Sequence, residues 1–241
     1  IGSLTYTVAT DSTYALSYGS YTSAAPNGSI ILNYGAISSG ITFNSTVNGA
    51  KNLTTNVTNG GGVTFTGAVG GSAALTGLTT SSATLSAAAI ALTTNSPISI
   101  TNTGAGSITG AVTGSGVSLS KSGAGVLTIS STSNAYTGTT TISAGTLKLG
   151  ASGVLADSSA VDFSNGTGTL DLNGYNETVL TVAGSCTTCY ITNSASGSGT
   201  NTLTSGTTTT ATTFAGVIQD GSTAKVAITK QGSGSLTLSG A

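Results

Sequence analysis

Residues 119–130 read Leu-Ser-Lys-Ser-Gly-Ala-Gly-Val-Leu-Thr-Ile-Ser, and residues 228–239 read Ile-Thr-Lys-Gln-Gly-Ser-Gly-Ser-Leu-Thr-Leu-Ser. Lys121 aligns with Lys230, and the two glycines, the Leu and the Thr that follow coincide. Each copy closes on a short alternation of apolar and hydroxyl side chains, the period-2 pattern of a half-buried strand. The same alternation occurs at Gly62-Val-Thr-Phe-Thr-Gly67, Gly145-Thr-Leu-Lys-Leu149 and Gly168-Thr-Leu-Asp-Leu172. One strand per roughly 8–12 residues suits a sandwich or a solenoid, and the internal repeat favours the solenoid. With about 20–25 residues per coil, the two copies lie about five coils apart and the chain makes roughly ten. Stacked about 4.8 Å apart, those coils make a rod near 50 Å long. The expectation is an all-β parallel solenoid, with a β-sandwich as the alternative.

Composition agrees. Only 5% of the 241 residues are charged, against about 25% in ordinary domains. There is no Arg, His, Met or Trp, and Gly accounts for 36 residues. Thr is β-branched and suits a pleated surface, while Gly serves the turns. The residues that build long helices are scarce apart from Ala and Leu. A net charge of −1 leaves no basic patch for phosphates, which argues against nucleic acid. Residues 52–120 carry no charge, yet Gly and Thr interrupt every apolar run before membrane length. No cofactor motif is present, and no membrane insertion is expected of this chain.

Three zones are expected within one continuous domain. Residues 1–40 hold Tyr6, Tyr14, Tyr18, Tyr21 and Tyr34, five of the eight tyrosines, and read as a cap or an interface. Residues 41–116 are the Thr/Gly/Ala section, and residues 117–241 carry the clearest repeats. The chain opens on a polar stretch without a secretion signal, so any signal is expected to lie outside it. The second repeat stops at Gly240-Ala241, so the last coil is expected either to be cut short or to be completed by something else.

The segment Leu119–Gly150 continues through Asn134-Ala-Tyr136-Thr-Gly138, Thr140-Thr-Ile142 and Gly145-Thr-Leu147. It resembles the autotransporter-associated β-strand repeat. Separately, Val47-Asn-Gly-Ala50, Gly61–Gly71 and Leu75-Thr-Gly-Leu78 are similar to repeats of large haemagglutinin-like bacterial exoproteins. Both resemblances imply a right-handed parallel β-helix on the cell surface, and neither implies a catalytic residue. The membrane β-barrel that autotransporters use for secretion is not within these residues.

Few side chains suggest chemistry. Cys186-Thr-Thr-Cys189 lacks the βαβ context of a redox site and the further ligands of a zinc site. A short-loop disulfide between Val182 and Ile191 is the plain reading; free thiols or an intermolecular link are the alternatives. The acidic residues are Asp11, Asp157, Asp162, Asp171, Glu177 and Asp220. Glycosidase chemistry needs two carboxylates facing one sugar, and Asp162 and Asp171 are the pair to check. All are expected instead to be solvent-facing strand or turn residues. Asp171-Leu-Asn173-Gly174 reads as a turn, because an EF-hand needs more acidic ligands. Lys121 and Lys230 are expected to face solvent and discourage edge pairing.

These readings point to an extracellular structural protein, a stalk or adhesin segment, and away from an enzyme. The alternative is a β-helical polysaccharide-degrading enzyme. Leu236-Thr-Leu238 is an apolar strand without a charged cap, and low charge removes the repulsion that opposes association. End-to-end assembly by strand addition is one reading, with Tyr6, Tyr14, Tyr18, Tyr21, Leu236 and Leu238 at the interface; a monomeric fragment with truncated ends is the alternative. The partner is then a second copy or a host or cell-surface ligand.

Overall fold

The computed structural model describes residues 4–8, 16–18, 21–22, 30–34, 40–57, 60–164, 166–206 and 209–240, the first four segments by their strand pairing. All regular structure among them is β-strand. The strands pair in parallel with their counterparts one turn away. The result is a β-solenoid of about nine turns, not a sandwich.

The chain visits three faces in rotation. The first is a nine-stranded sheet running from Leu4–Val8 to Val182–Ala183, and the second a ten-stranded sheet from Leu16–Tyr18 to Val217–Ile218. The third is built from short sheets, among them Ile90–Ala91 with Val112–Gly114 and Ala135–Tyr136, and later Glu177–Val179 with Gly199–Ser205 and Ala224–Lys230. A bridge from Gly184 to Phe214 carries the first face on to Thr212–Phe214 and Leu236–Leu238.

Register is most regular in the middle. Ile98, Leu119, Thr140, Val161 and Val182 stack in one column at a constant step along the chain. Later turns lengthen: the steps from Glu177 to Leu203 and from Leu203 to Ile228 are both longer. Alternation decides which side chains enter the rod. Leu127 and Ile129 point inward with Leu147 and Leu149 above them, while Thr128 and Lys148 point out. The interior is a continuous stack of Leu, Ile and Val, with Phe43 over Phe65 at 4.8 Å and Phe163 against Phe214 at 5.1 Å between ring centres. A parallel sheet with one apolar face must bury it, and here the other two faces cover it.

The separation between the two repeat copies is not a whole number of turns. Lys121 lies in Ser118–Ser122 on the first face, whereas Lys230 ends Ala224–Lys230 on the third. The two copies share a local motif, not a position in the solenoid.

Candidate functional site

Among the described residues, three charged side chains are buried: Lys121, Asp171 and Glu177. All three are surface residues by the sequence reading, and the fold uses each as a fastener.

Lys121 is 0% exposed. It sits in the inward column between Ile100 and Ile142, two residues from the inward Leu119, so strand parity places it inside. Its stem runs to the corner between the first and second faces. There Nζ donates to the carbonyls of Ser122 at 2.7 Å, Gly123 at 2.8 Å and Ala144 at 3.2 Å. An ammonium has three donors, and all three are used. Burial pulls the amine down from its ordinary value to about 8. The corner requires glycine: Gly123 has φ +74°, Gly145 of the next turn has φ +66°, and a Cβ on Gly145 would run into the Gly123 carbonyl oxygen. Lys230 repeats the arrangement, folding over the carbonyls of Gln231 and Gly232, the latter a glycine at φ +68°.

Glu177 is 2% exposed. The third face loses its ladder between Ala135–Tyr136 and Glu177–Val179, and side chains restore the missing bonds. The Asn134 carboxamide accepts from Val112 N at 2.6 Å and donates to the Val154 carbonyl at 2.6 Å. One turn further on, Glu177 Oε2 accepts from Val154 N at 2.9 Å and Leu155 N at 3.0 Å, and Oε1 from its neighbour Thr178 N at 3.0 Å. Burial pushes the carboxyl up to about 7, against these three N–H donors and with a further upward push from the Asp157 charge. Beside it lies a chain of hydroxyls: Tyr136 to Thr140 at 2.8 Å, and Thr140 to Ser159 at 2.9 Å. Ser159 Oγ donates to the Gly138 carbonyl at 2.7 Å. With that hydrogen spent, Thr140 donates to Ser159 and Tyr136 to Thr140. Burial raises the Tyr136 phenol to about 12, so it remains the donor.

The structure does not bring Asp162 and Asp171 onto one face. Asp162 belongs to the first face and Asp171 to the second. Asp162 accepts from Ser164 N at 2.8 Å. Asp171 points away from the core, yet is 4% exposed, because Ser194 closes over it. It accepts from Asn173 N at 2.9 Å, Ser194 N at 2.8 Å and Ser194 Oγ at 2.5 Å, with Lys148 Nζ 3.8 Å away. Asn173 and Gly174 take φ +47° and +86°, so Asp171–Gly174 is a turn. Asp157 and Asp220 are exposed. Among the described residues, no group of three His, Cys, Asp or Glu is placed to hold a metal, and no helix is long and apolar enough to cross a membrane.

Cys186 and Cys189 are joined in a disulfide. Both are buried, between strands Val182–Ala183 and Tyr190–Thr192. A Cβ on Gly216 of the next turn would lie 2.5 Å from Cys189 Sγ, so the bridge fills the space beneath that turn. Of the interface residues, Leu236 is half-buried and Leu238 is 51% exposed. Tyr6, Tyr18 and Tyr21 lie on strands in register with Leu32, Phe43 and Val47, and Tyr14 lies outside the described residues. Sequence reasoning missed the inward Lys121 and the Asn134–Glu177 clamp. Parity marks the first, whereas the second joins residues from separate turns and has no local signal.

Comparison with known proteins adds one finding to this geometry. A family model described as passenger-associated-transport-repeat matches residues 119–149 and 228–241, the two segments that carry the Lys-x-Gly corner. The first covers one turn and about half of the next, from within Ser118–Ser122 through Thr146–Leu149. No curated protein and no solved structure matches. The repeat and the solenoid fit an autotransporter passenger domain, and such passengers are secreted or held at the cell surface. The chain thus carries, at residues 119–149 and 228–241, the repeat of the autotransporter passenger family.

Proposed function

We propose that this chain is a rigid, non-enzymatic rod segment of a bacterial surface stalk or adhesin, and that copies assemble end to end by strand addition. The supporting observation is the pairing of the outermost turns. Among the described residues, Ala224–Lys230 and Leu236–Leu238 have strand partners on one side only, as do Leu4–Val8 and Leu16–Tyr18. A strand edge presents N–H and C=O groups that template another chain, and Leu238 offers apolar surface beside it. Tyr6, Tyr14, Tyr18 and Tyr21 of a second copy are the proposed complement. Four of the five described carboxyl groups are tied into the fold, which leaves no pair of free acids among the described residues. Electron microscopy of the purified protein tests the assembly. Filaments with an axial repeat of roughly 45 Å, about nine strand spacings, are expected, and they should vanish in a Leu236→Asp, Leu238→Asp double variant. Isolated rods at high concentration would refute assembly.

A further inference from the structure

The third face is interrupted at one place, and the interruption forms a cleft. Where Ala135–Tyr136 gives way to the loop at residues 150–160, a recess of about 660 Å³, open to solvent, lies between the loops. Asn134, Thr137, Asp157 and Ser158 line it with polar groups, and Ala135 and the buried Leu155 add a small apolar floor. Loops on a repetitive scaffold are where binding residues concentrate. These loops are also held firmly. Asn134 ties Val112, Ser131 and Val154 together, and Glu177 fastens Val154 and Leu155 from beneath. A buried carboxylate is a costly fastener unless its partners are well placed, and this one fixes the chain just before Asp157.

Asp157 is the exception among the described acids. Asp162, Asp171, Glu177 and Asp220 each accept hydrogen bonds from the backbone. The Asp157 carboxylate has no hydrogen-bond or ion-pair partner among the described residues, and it stands at the mouth of the cleft. A free carboxylate accepts strongly from hydroxyl donors, the neighbouring Thr and Ser hydroxyls both donate and accept, and no cation lines the cleft to attract an anion. A ligand with several hydroxyls, one apolar C–H face and no negative charge fits that set.

We infer that this cleft binds a neutral pyranose unit of a glycan, with Asp157 accepting its hydroxyl hydrogens. This ligand assignment rests on the adhesive reading above and gives it a chemical class. The test is isothermal titration calorimetry of the intact chain with three neutral probes, maltotetraose, cellotetraose and chitotetraose, with a sialylated tetrasaccharide as the anionic control. At least one neutral probe should bind, the anionic control should not, and Asp157→Ala should weaken binding at least about tenfold, the loss of one charge-assisted hydrogen bond. Asp157 is exposed, so the variant should keep the wild-type melting temperature, and Asp157→Asn should recover part of the affinity. Three results would overturn the site: no heat with any neutral probe, equal affinity in Asp157→Ala, or preference for the anionic control. Filaments or cell adhesion persisting alongside such a result would leave the stalk reading standing and remove only the cleft.

Discussion

The two copies of the Lys-x-Gly corner use the same residues and end in different surroundings. At Lys121 the next turn closes over the corner. Ala144 supplies the third acceptor, Gly145 packs against the amine, and the side chain is fully buried. At Lys230 the amine turns onto its own corner and lies against Gly206 of the turn below. No described strand stacks above it, and it stays half-exposed. The motif is therefore a local fold that becomes a fastener only when another turn covers it. A solenoid's stability is roughly the sum of its turns and the interfaces between them, and this corner lets one side chain contribute to both.

That comparison breaks most easily at the lysines. Lys121→Met keeps the apolar stem and leaves the half-buried carbonyls of Ser122, Gly123 and Ala144 without their shared donor, a loss on the order of 3 kcal/mol. Lys230→Met removes bonds that solvent can replace and should cost under about 0.5 kcal/mol. Urea unfolding midpoints of the two variants measure the difference. Equal losses would show that the motif stabilises its own turn and gains nothing from the one above. If Lys230→Met becomes as costly as Lys121→Met in assembled filaments, the covering turn comes from a second copy.

Glu177 sharpens the comparison from the opposite charge. Lys121 gives donors to surplus carbonyls, and Glu177 gives acceptors to surplus N–H groups where the ladder is broken. Its folded pKa, about 7, stands above the ordinary carboxyl value of 4.5. The folded state therefore holds this proton more tightly than the unfolded chain does. The stabilisation from Glu177 is complete below about pH 4.5 and is lost as the pH rises through about 7. Melting temperature measured from pH 4 to pH 8 should fall across that window, and Glu177→Gln should flatten the slope. An unchanged slope in the variant would assign the pH dependence to another group.

How much is legible in the sequence follows from the same residues. The period-2 alternation at Val126–Ile129 and Thr146–Leu149 places the strands, because one-sided burial leaves a strand no other register. Lys121 is legible by parity, but a charge is ordinarily a surface residue, and that rule prevails in a sequence reading. Here one of the carbonyls it meets, that of Ala144, belongs to the next turn, a fact no local window contains. Asp171 reads as an outward strand residue, and it does point outward. Ser194 from the following turn buries it. The disulfide needs only Cys spacing and compartment, whereas the Asn134–Glu177 clamp needs the turn lengths. Those lengths grow between the Ile98–Val182 column and the Glu177–Ile228 column. The loops set that growth, and they carry no periodic signal to count.

The smallest effect belongs to the charge pair outside the rod. Lys148 Nζ lies 3.8 Å from Asp171 Oδ2, with a third of the lysine side chain in solvent. Exposed pairs of this kind are screened and lose side-chain entropy on forming. Lys148→Ala should change stability by at most about 0.5 kcal/mol. Asp171→Ala should cost more, about 1–3 kcal/mol, because the buried Asp171 carboxylate joins Asn173 N of its own turn to Ser194 N and Oγ of the next. The order of the two losses, read from urea unfolding midpoints, matters more than their size. A larger loss at Lys148 would mean that Asp171 is held chiefly by charge. A larger loss at Asp171 assigns it to the same class as Lys121 and Glu177: an ionisable side chain retained in an almost uncharged protein because it closes a backbone gap between turns.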